Sequence, residues 1–596
     1  MQNAAFPVVC ALVLGLFAAA ADASGPVELL APGAPEGLVD DLRAASLSVA
    51  AKRDGVTNPQ DLLAAARADY ARLLAALYES GRYSGVIRIS VDGREAADIT
   101  PFSVPADIDR IVIRVTPGPL FAFGRTAVAP LAPETDLPAG FAPGAVARSA
   151  LVGDAVARAI AGWRAQGNAR ARLAAQSLRA DHRAATLDVD IALDPGPRLR
   201  FGRLVLSGDS AVRAARIHRI AGLPEGEVFS PEALADAARR LRQTGSFRSV
   251  SLREAETVSD DGALDITATL VDEKPRRFGL GAEVSTFEGL ALTGFWLHRN
   301  FFGGAERLRF DTTIGGVGGE TGGIDYGIKA RLTRPATPVP DSAFFVTADA
   351  SRLDEPDYVS DQIGFGIGLA RRFTHHLNAE LAVDLRRERV EEAGIISNYN
   401  LLSLPVRLTL DRRDTPLDAT RGLYLNTELR PFQGLGSTAS GVRLYADGRV
   451  YRGLGSARRF VLAGRAQVGV VSGPALVDAP PDFLFYSGGG GTVRGQSYQS
   501  LDIDLGGGRR RGGRSFLGLS AELRAAVRGR IGVVAFADGG YVGAGSFFDG
   551  AGGWHAGAGL GLRYETGVGP IRLDVALPIG GTSSGAQIYI GIGQAF

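Results

Sequence analysis

The residues of this chain that could do chemistry are charged rather than nucleophilic. The run Gly488-Gly489-Gly490-Gly491-Thr492-Val493-Arg494-Gly495-Gln496 follows Phe483-Leu484-Phe485-Tyr486 and is too long for a minimal hairpin. It sets Arg494 between small residues. An arginine so placed either lies solvated on a surface or reaches back into a polar interior, where a carboxylate must offset its charge. Asp538, in Phe536-Ala537-Asp538-Gly539-Gly540, and Glu522, in Ser520-Ala521-Glu522-Leu523-Arg524, are the candidate partners. That chemistry is clamping, not bond making. No Gly-x-x-x-x-Gly-Lys-Ser/Thr phosphate loop and no His-Glu-x-x-His pair occurs. The six histidines are scattered, and the adjacent His375 and His376 would face opposite sides of a strand. No metal, cofactor or catalytic residue is therefore expected, and serine-rich loops are all that a lipase-like enzyme could draw on. The run Arg509-Arg510-Arg511-Gly512-Gly513-Arg514 lacks aromatic platforms for nucleic acid, so a solvated loop or an anionic-lipid contact is expected there.

The elements that must hold Arg494 are strands. From Lys274 to Phe596 the sequence alternates at period two, as in Phe278, Leu280, Ala282 and Val284 against Gly279, Gly281 and Glu283, or Phe365, Ile367 and Leu369 against Gly364, Gly366 and Gly368. Each strand thus has one apolar face and one polar or bare face. In hydrocarbon every backbone amide needs a partner within the protein, so such strands span a bilayer only as a closed barrel. At roughly 20 residues per strand and turn, residues 274–596 accommodate about 16 strands. A hydrophobic fraction of 45% and a net charge of +1 suit this reading without requiring it, because the lumen face stays polar.

Residues 4–21 are apolar and end in Ala21-Asp22-Ala23, which predicts a signal peptide over 1–23. The only cysteine, Cys10, falls within it. A signal followed by a barrel places the chain in the outer membrane of a bacterium with two envelopes, with the rest of the N-terminal half in the periplasm. That half carries a repeat. Thr116-Pro117-Gly118-Pro119-Leu120-Phe121-Ala122-Phe123-Gly124-Arg125 returns as Asp194-Pro195-Gly196-Pro197-Arg198-Leu199-Arg200-Phe201-Gly202-Arg203. Gly81, Gly167 and Gly245 each follow an amphipathic helix, where a left-handed cap costs least without a side chain. The pattern predicts three α+β domains of strand, two helices and two strands, over 27–115, 116–193 and 194–273, before an all-β barrel over 274–596. They read as an arm of binding modules with exposed edge strands.

These residues also carry a resemblance. The Val493-Arg494-Gly495 segment resembles the sixth extracellular loop of the BamA/TamA superfamily of outer-membrane assembly and secretion barrels. His298-Arg299-Asn300-Phe301-Phe302-Gly303-Gly304, Asp411-Arg412-Arg413-Asp414-Thr415-Pro416-Leu417-Asp418 with Thr420-Arg421-Gly422, and the stretch Gly561 to Asp574 match in order. The three N-terminal units resemble POTRA domains, and three of them before 16 strands resemble the TamA branch, the outer-membrane subunit of the translocation and assembly module. The resemblance implies that the loop enters the lumen and that Arg494 contacts Asp538. It also implies a role in outer-membrane protein or autotransporter assembly, with unfolded barrel clients, outer-membrane lipid and a TamB-like periplasm-spanning partner. Gln496 stands where the family has an aromatic residue, with Tyr498 two places on. Tyr589, Gly591 and Phe596 fit the family's C-terminal assembly signal, but Gln594 departs from it. The first strand, Phe278 to Thr286, and the last segment, Ser584 to Phe596, are expected to form a weak seam. A dedicated two-partner-type secretion pore and a phospholipid transport bridge are the alternatives, and a solute porin would need no N-terminal arm.

Overall fold

Residues 27–596 are described by a computed structural model, apart from 101–103, 286–288, 320–321, 456–457, 549, 568 and 582. The expected signal peptide, Cys10 and Thr286 lie outside the described residues. The chain divides into two compact units, the first residues 1–201 with 226–231 and 258–264, the second the remainder.

In the first unit, β1 (Val27–Leu30), α1 (Glu36–Ala45), α2 (Leu47–Arg53), α3 (Pro59–Glu79), β2 (Val86–Val91), β3 (Arg94–Glu95) and β4 (Ile111–Thr116) build a mixed sheet of order β1-β4-β2-β3 with helices over one face. Leu42, Leu63, Leu73 and Leu77 from the helices pack on Ile89, Ile111, Ile113 and Val115. Three helices stand where two were expected, because Ser46 leaves helical geometry (ψ 123°) and its side chain accepts from the Val49 amide to restart the chain as α2. The fully buried Asp69 of α3 accepts from Ser46 Oγ at 2.7 Å and from the amides of Leu47 and Ser48 at 2.6 and 3.1 Å. A second sheet, order β5-β7-β6, joins β5 (Ala122–Ala129), β6 (Arg172–Asp181) and β7 (Thr186–Asp194), with α4 (Ser149–Ala165) packed on it. Only one helix forms here. Pro130, Pro133, Pro138 and Pro143 occupy the place of the other, each removing an amide donor. Gly81 and Gly167 have φ of +81° and +98°, the left-handed geometry the helix ends demand.

The third α+β domain, most of whose residues belong to the second unit, has β8 (Arg200–Ser207), α5 (Ala214–Ala221), α6 (Pro231–Gln243), β9 (Phe247–Glu254) and β10 (Ala263–Asp272), with sheet order β8-β10-β9. The barrel follows: β11 (Arg276–Ser285), β12 (Gly289–His298), β13 (Arg307–Val317), β14 (Asp325–Pro335), β15 (Ser342–Asp354), β16 (Val359–Arg372), β17 (Leu377–Glu392), β18 (Ile395–Ser403) and β19 (Val406–Asp411). It continues through β20 (Arg421–Gly434), β21 (Gly441–Leu454), β22 (Phe460–Ser472), the small hairpin β23 (Ile503–Gly506) and β24 (Arg509–Arg511), and then β25 (Ser515–Arg528), β26 (Ile531–Gly543), β27 (Gly553–Tyr564), β28 (Ile571–Pro578) and β29 (Gln587–Ile592). The hairpin stands apart, and the other strands close into one antiparallel ring. Both β18 and β19 bond to β17 and β20, so they are one strand broken at Leu404-Pro405 and the ring has 16 strands.

Outward positions carry the apolar band: Phe278, Leu280, Phe365, Ile367 and Leu369 are 44–94% exposed. The turn between β12 and β13, which holds the His298–Gly304 motif, is where the third α+β domain is fastened. Arg213 donates its amide to Gly303 O and Nη1 to Phe302 O, both at 2.9 Å. Asn300 Nδ2 donates to Ala211 O at 2.9 Å, and Ser246 Oγ to Arg299 O at 2.7 Å.

Candidate functional site: the buried arginine clamp and the barrel seam

Between β22 and β25 the chain leaves the wall and folds back into the lumen. Phe483 and Phe485 anchor this loop against Phe432, Val471, Phe516 and Val542, with the Phe485 and Phe516 rings stacked at 5.9 Å. The loop then delivers Arg494, 3% exposed, to the inner wall. Its Nε and Nη2 grip Asp538 at 2.7 and 3.0 Å, and its own amide donates to the same carboxylate at 3.1 Å. Nη1 reaches Glu522 at 2.7 Å and Asp574 at 3.4 Å. The guanidinium lies 3.6 Å from the centroid of the Phe536 ring. Both sequence-selected carboxylates are therefore in contact with Arg494, together with one that sequence reasoning quoted but did not single out.

One cation does not balance three acids, and two more arginines stand beside them. Glu522 also accepts from Arg524 Nε at 2.8 Å, and Asp574 pairs with Arg563. Three arginines thus face three carboxylates, the balance that burial of ions requires. Four strands, β25, β26, β27 and β28, supply all of these but Arg494, which the loop brings. The close approach needs bare backbone. A Cβ on Gly557 would stand 1.9 Å from Arg494 O, and one on Gly495 (φ +91°) 2.7 Å from Leu577 O.

Gln496, fully buried, donates from Nε2 to Ala556 O at 2.6 Å and also to Gly580 O, so an amide holds the loop where the resemblance implied an aromatic ring. Tyr498 reaches across to Glu355 Oε1 at 3.2 Å. The segment Gly581 to Gly585 has Gly-x-Ser-x-Gly spacing, which sequence reasoning missed. It joins two strands rather than a strand and a helix, and Ser583 Oγ accepts from the Ser497 amide at 2.9 Å, a tie to the loop rather than a nucleophile elbow.

The seam is the second feature. Among the described residues β11 pairs with β12 along ten residues, and with β29 at Val284↔Ile590 and Ser285↔Tyr589, with none of Arg276 to Glu283 paired to β29. Phe278 is 71% exposed and has no partner in β29. β28 and β29 are 8 and 6 residues long, whereas β15, β16 and β17 have 13, 14 and 16. At Gly593 (φ +95°) the chain turns out of the sheet. Gln594 then donates from Nε2 to Asp418 and accepts from Arg563 Nε, each at 2.9 Å. Phe596, 7% exposed, packs with Ala419, Tyr451 and Ala463, and its carbonyl accepts from Arg524 at 3.0 Å. Gly591 faces Arg572, which forms an ion pair with Glu283 across the seam. Tyr589 points inward, and its hydroxyl accepts from the Gly495 amide at 3.3 Å, so the last strand touches the loop motif directly.

Compared with known proteins, residues 300–596 match the model of the Omp85 superfamily domain. A curated relative, the outer membrane protein assembly factor BamA of Nitratidesulfovibrio vulgaris, is 22% identical over 330 residues. The match takes in 53% of this chain, which spans 40% of that relative's length. Among solved structures, BamA from Haemophilus ducreyi lacking POTRA domains 1–3 superposes with a TM-score of 0.62 at 14% identity, over 80% of this chain and all of that one. CdiB from Acinetobacter baumannii does so with a TM-score of 0.50 at 14% identity, over 80% of this chain and 90% of that one. At such identities the likeness is one of fold.

Proposed function

The chain belongs to the Omp85 superfamily, with POTRA-type α+β domains ahead of an outer-membrane barrel, and on that premise we propose that it is a non-enzymatic insertase for outer-membrane β-barrels, autotransporters among them. The observation that carries this reading is the edge of β11 that, among the described residues, lacks partners in β29. From Arg276 to Glu283 the outer edge of β11 has no partner in β29 while its other edge is fully bonded. Unpaired amides at membrane depth are costly, so this edge favours any strand that supplies the missing bonds. A client strand is such a strand. The short β28 and β29 also thin the hydrophobic wall beside the seam, which strains the adjoining bilayer where the client enters.

A second edge lies in the first unit. Among the described residues β6 is bonded on one side only, and it is exposed at nearly all its positions, Leu178 at 51%. Such an edge suits strand addition by a client or by an inner-membrane-anchored partner of the TamB kind.

The test locks the seam. In a Cys10→Ser background, Val284→Cys with Ile590→Cys places two thiols on registered neighbours. Oxidation is expected to abolish insertion of a client barrel into proteoliposomes, and reduction to restore it; undiminished insertion by the locked protein would end this reading. Gene deletion followed by measurement of folded barrels, secreted proteins and leaflet phospholipids separates a general insertase, which lowers several barrels, from a dedicated pore or a lipid bridge.

A further inference from the structure

In the second unit a cavity of about 490 Å³ lies where α5 and α6 meet the ends of strands β13 to β17 and β19. Arginines dominate its lining. Four of them are neutralised: Arg240 by Asp341 at 2.8 Å, Arg309 by Asp311 at 2.8 Å, Arg331 by Glu380 at 2.8 Å, and Arg407 by Glu428. Arg307, Arg371 and Arg372 also line it and have no carboxylate within ion-pairing distance among the described residues. The charged neighbours of Arg307 are the cations Arg299, Arg309 and Arg331. The Arg372 guanidinium donates to a neutral amide, Asn378 Oδ1 at 3.2 Å, and its backbone amide to Asp341 O at 3.0 Å, while Arg371 lies over the Phe373 ring at 5.5 Å; Asp341, the carboxylate whose charge both feel, is already gripped by Arg240.

Guanidinium groups crowded in a half-enclosed space repel one another unless an anion joins them. We propose that this cavity binds a phosphate group, presented by a phospholipid headgroup or as free phosphate. The inward forks of Arg307 and Arg372, with Arg371 at the rim, have no carboxylate of their own and match the several acceptor oxygens of a phosphate better than the two of a carboxylate. The cavity also touches both faces of β16. Arg372 follows the inward row that includes Gly366, Gly368 and Ala370, while Arg371 continues the outward row of Phe365, Ile367 and Leu369, whose exposure is 44–55%. A headgroup held there could leave its acyl chains along that apolar row. The proposal does not depend on the seam opening, and its failure would leave the insertase reading untouched.

The test titrates the detergent-solubilised full-length protein with dihexanoyl phosphatidylglycerol and, separately, with sodium phosphate, followed by calorimetry. Saturable binding at one site is expected, weakened at least about tenfold in the Arg307→Gln/Arg372→Gln variant, as loss of a charge-assisted hydrogen bond implies. Binding of the lipid alone assigns the site to a headgroup, and equal binding of phosphate assigns it to the free ion. Heat-modifiable gel migration checks that the variant barrel folds; if it does not, the exposed Arg371→Gln must show the same weakening. Absence of saturable binding of either probe, or unchanged affinity in a folded variant, would overturn the site.

Discussion

At the scale of single residues, Arg494 is a joint between the lumen loop and four barrel strands. Replacing it by alanine leaves Asp538 without its cation, while Glu522 and Asp574 keep Arg524 and Arg563. Breaking a buried ion pair costs about 3–5 kcal/mol, and most of that loss should fall on the loop because the ring's backbone bonding is untouched. Arg494→Ala is therefore expected to retain a heat-modifiable barrel while residues 473–514 become open to protease. Arg494→Lys should fall between, since a point charge cannot fork onto Asp538 and still reach Glu522. Loss of folded barrel equal to loss of loop protection would make Arg494 a fold determinant only. The clamp was partly legible in the sequence. Alternation marks Glu522 and Asp538 as inward on strands near the loop, but Asp574 lies 80 positions from Arg494 and becomes its neighbour because the loop folds back against the inner face of β25 to β28. The amide anchor at Gln496 was legible as a departure, not as a hydrogen bond.

At the scale of elements, one helix is capped by another. Asp69 on α3 satisfies the first donors of α2, so Asp69→Ala would strand the buried Ser48 amide, the part-buried Leu47 amide and the Ser46 hydroxyl. A loss of about 2–3 kcal/mol is expected, read as faster hydrogen exchange over 46–54. A carboxylate also ties α6 to the turn between β14 and β15. Arg240 grips Asp341 through two bonds of 2.8 Å and thereby holds its carboxyl below the ordinary range. Because the folded pKa is the lower one, this contribution is fully present above the unfolded carboxyl value near 4 and is lost as pH falls through the folded one. Protection factors in α6, measured against the intrinsic exchange rate at each pH, should be the same at pH 7 and pH 5 and fall only below about 4, a fall that Asp341→Asn removes by being poorly protected throughout. Helix ends at Gly81, Gly167 and Gly245 were readable because glycine is the residue that pays least for positive φ. The helix count was not, because Ser46 and four prolines act through local geometry that a repeat template overlooks.

At the scale of the whole molecule, the ring is closed, and how far β29 runs along β11 depends on what the last four residues do instead of pairing. Extending the register Val284↔Ile590 would set Ala282 against Ile592, Leu280 against Gln594 and Phe278 against Phe596. Those last partners are absent because Gly593 turns the chain inward and Gln594 exchanges hydrogen bonds with Asp418 and Arg563 inside the lumen. Gly593→Val with Gln594→Val removes both causes: a β-branched residue disfavours φ near +95°, and valine offers the lumen no hydrogen bond. The tail should then join β11 and lengthen the seam. A Phe278→Cys/Phe596→Cys pair, in a Cys10→Ser background, is expected to oxidise readily in that variant and poorly in the parent, with client insertion falling as the disulfide forms. If the pair oxidises equally in both, the inward turn is a resting pose of a mobile tail and the seam's weakness must come from the shortness of β28 and β29 alone.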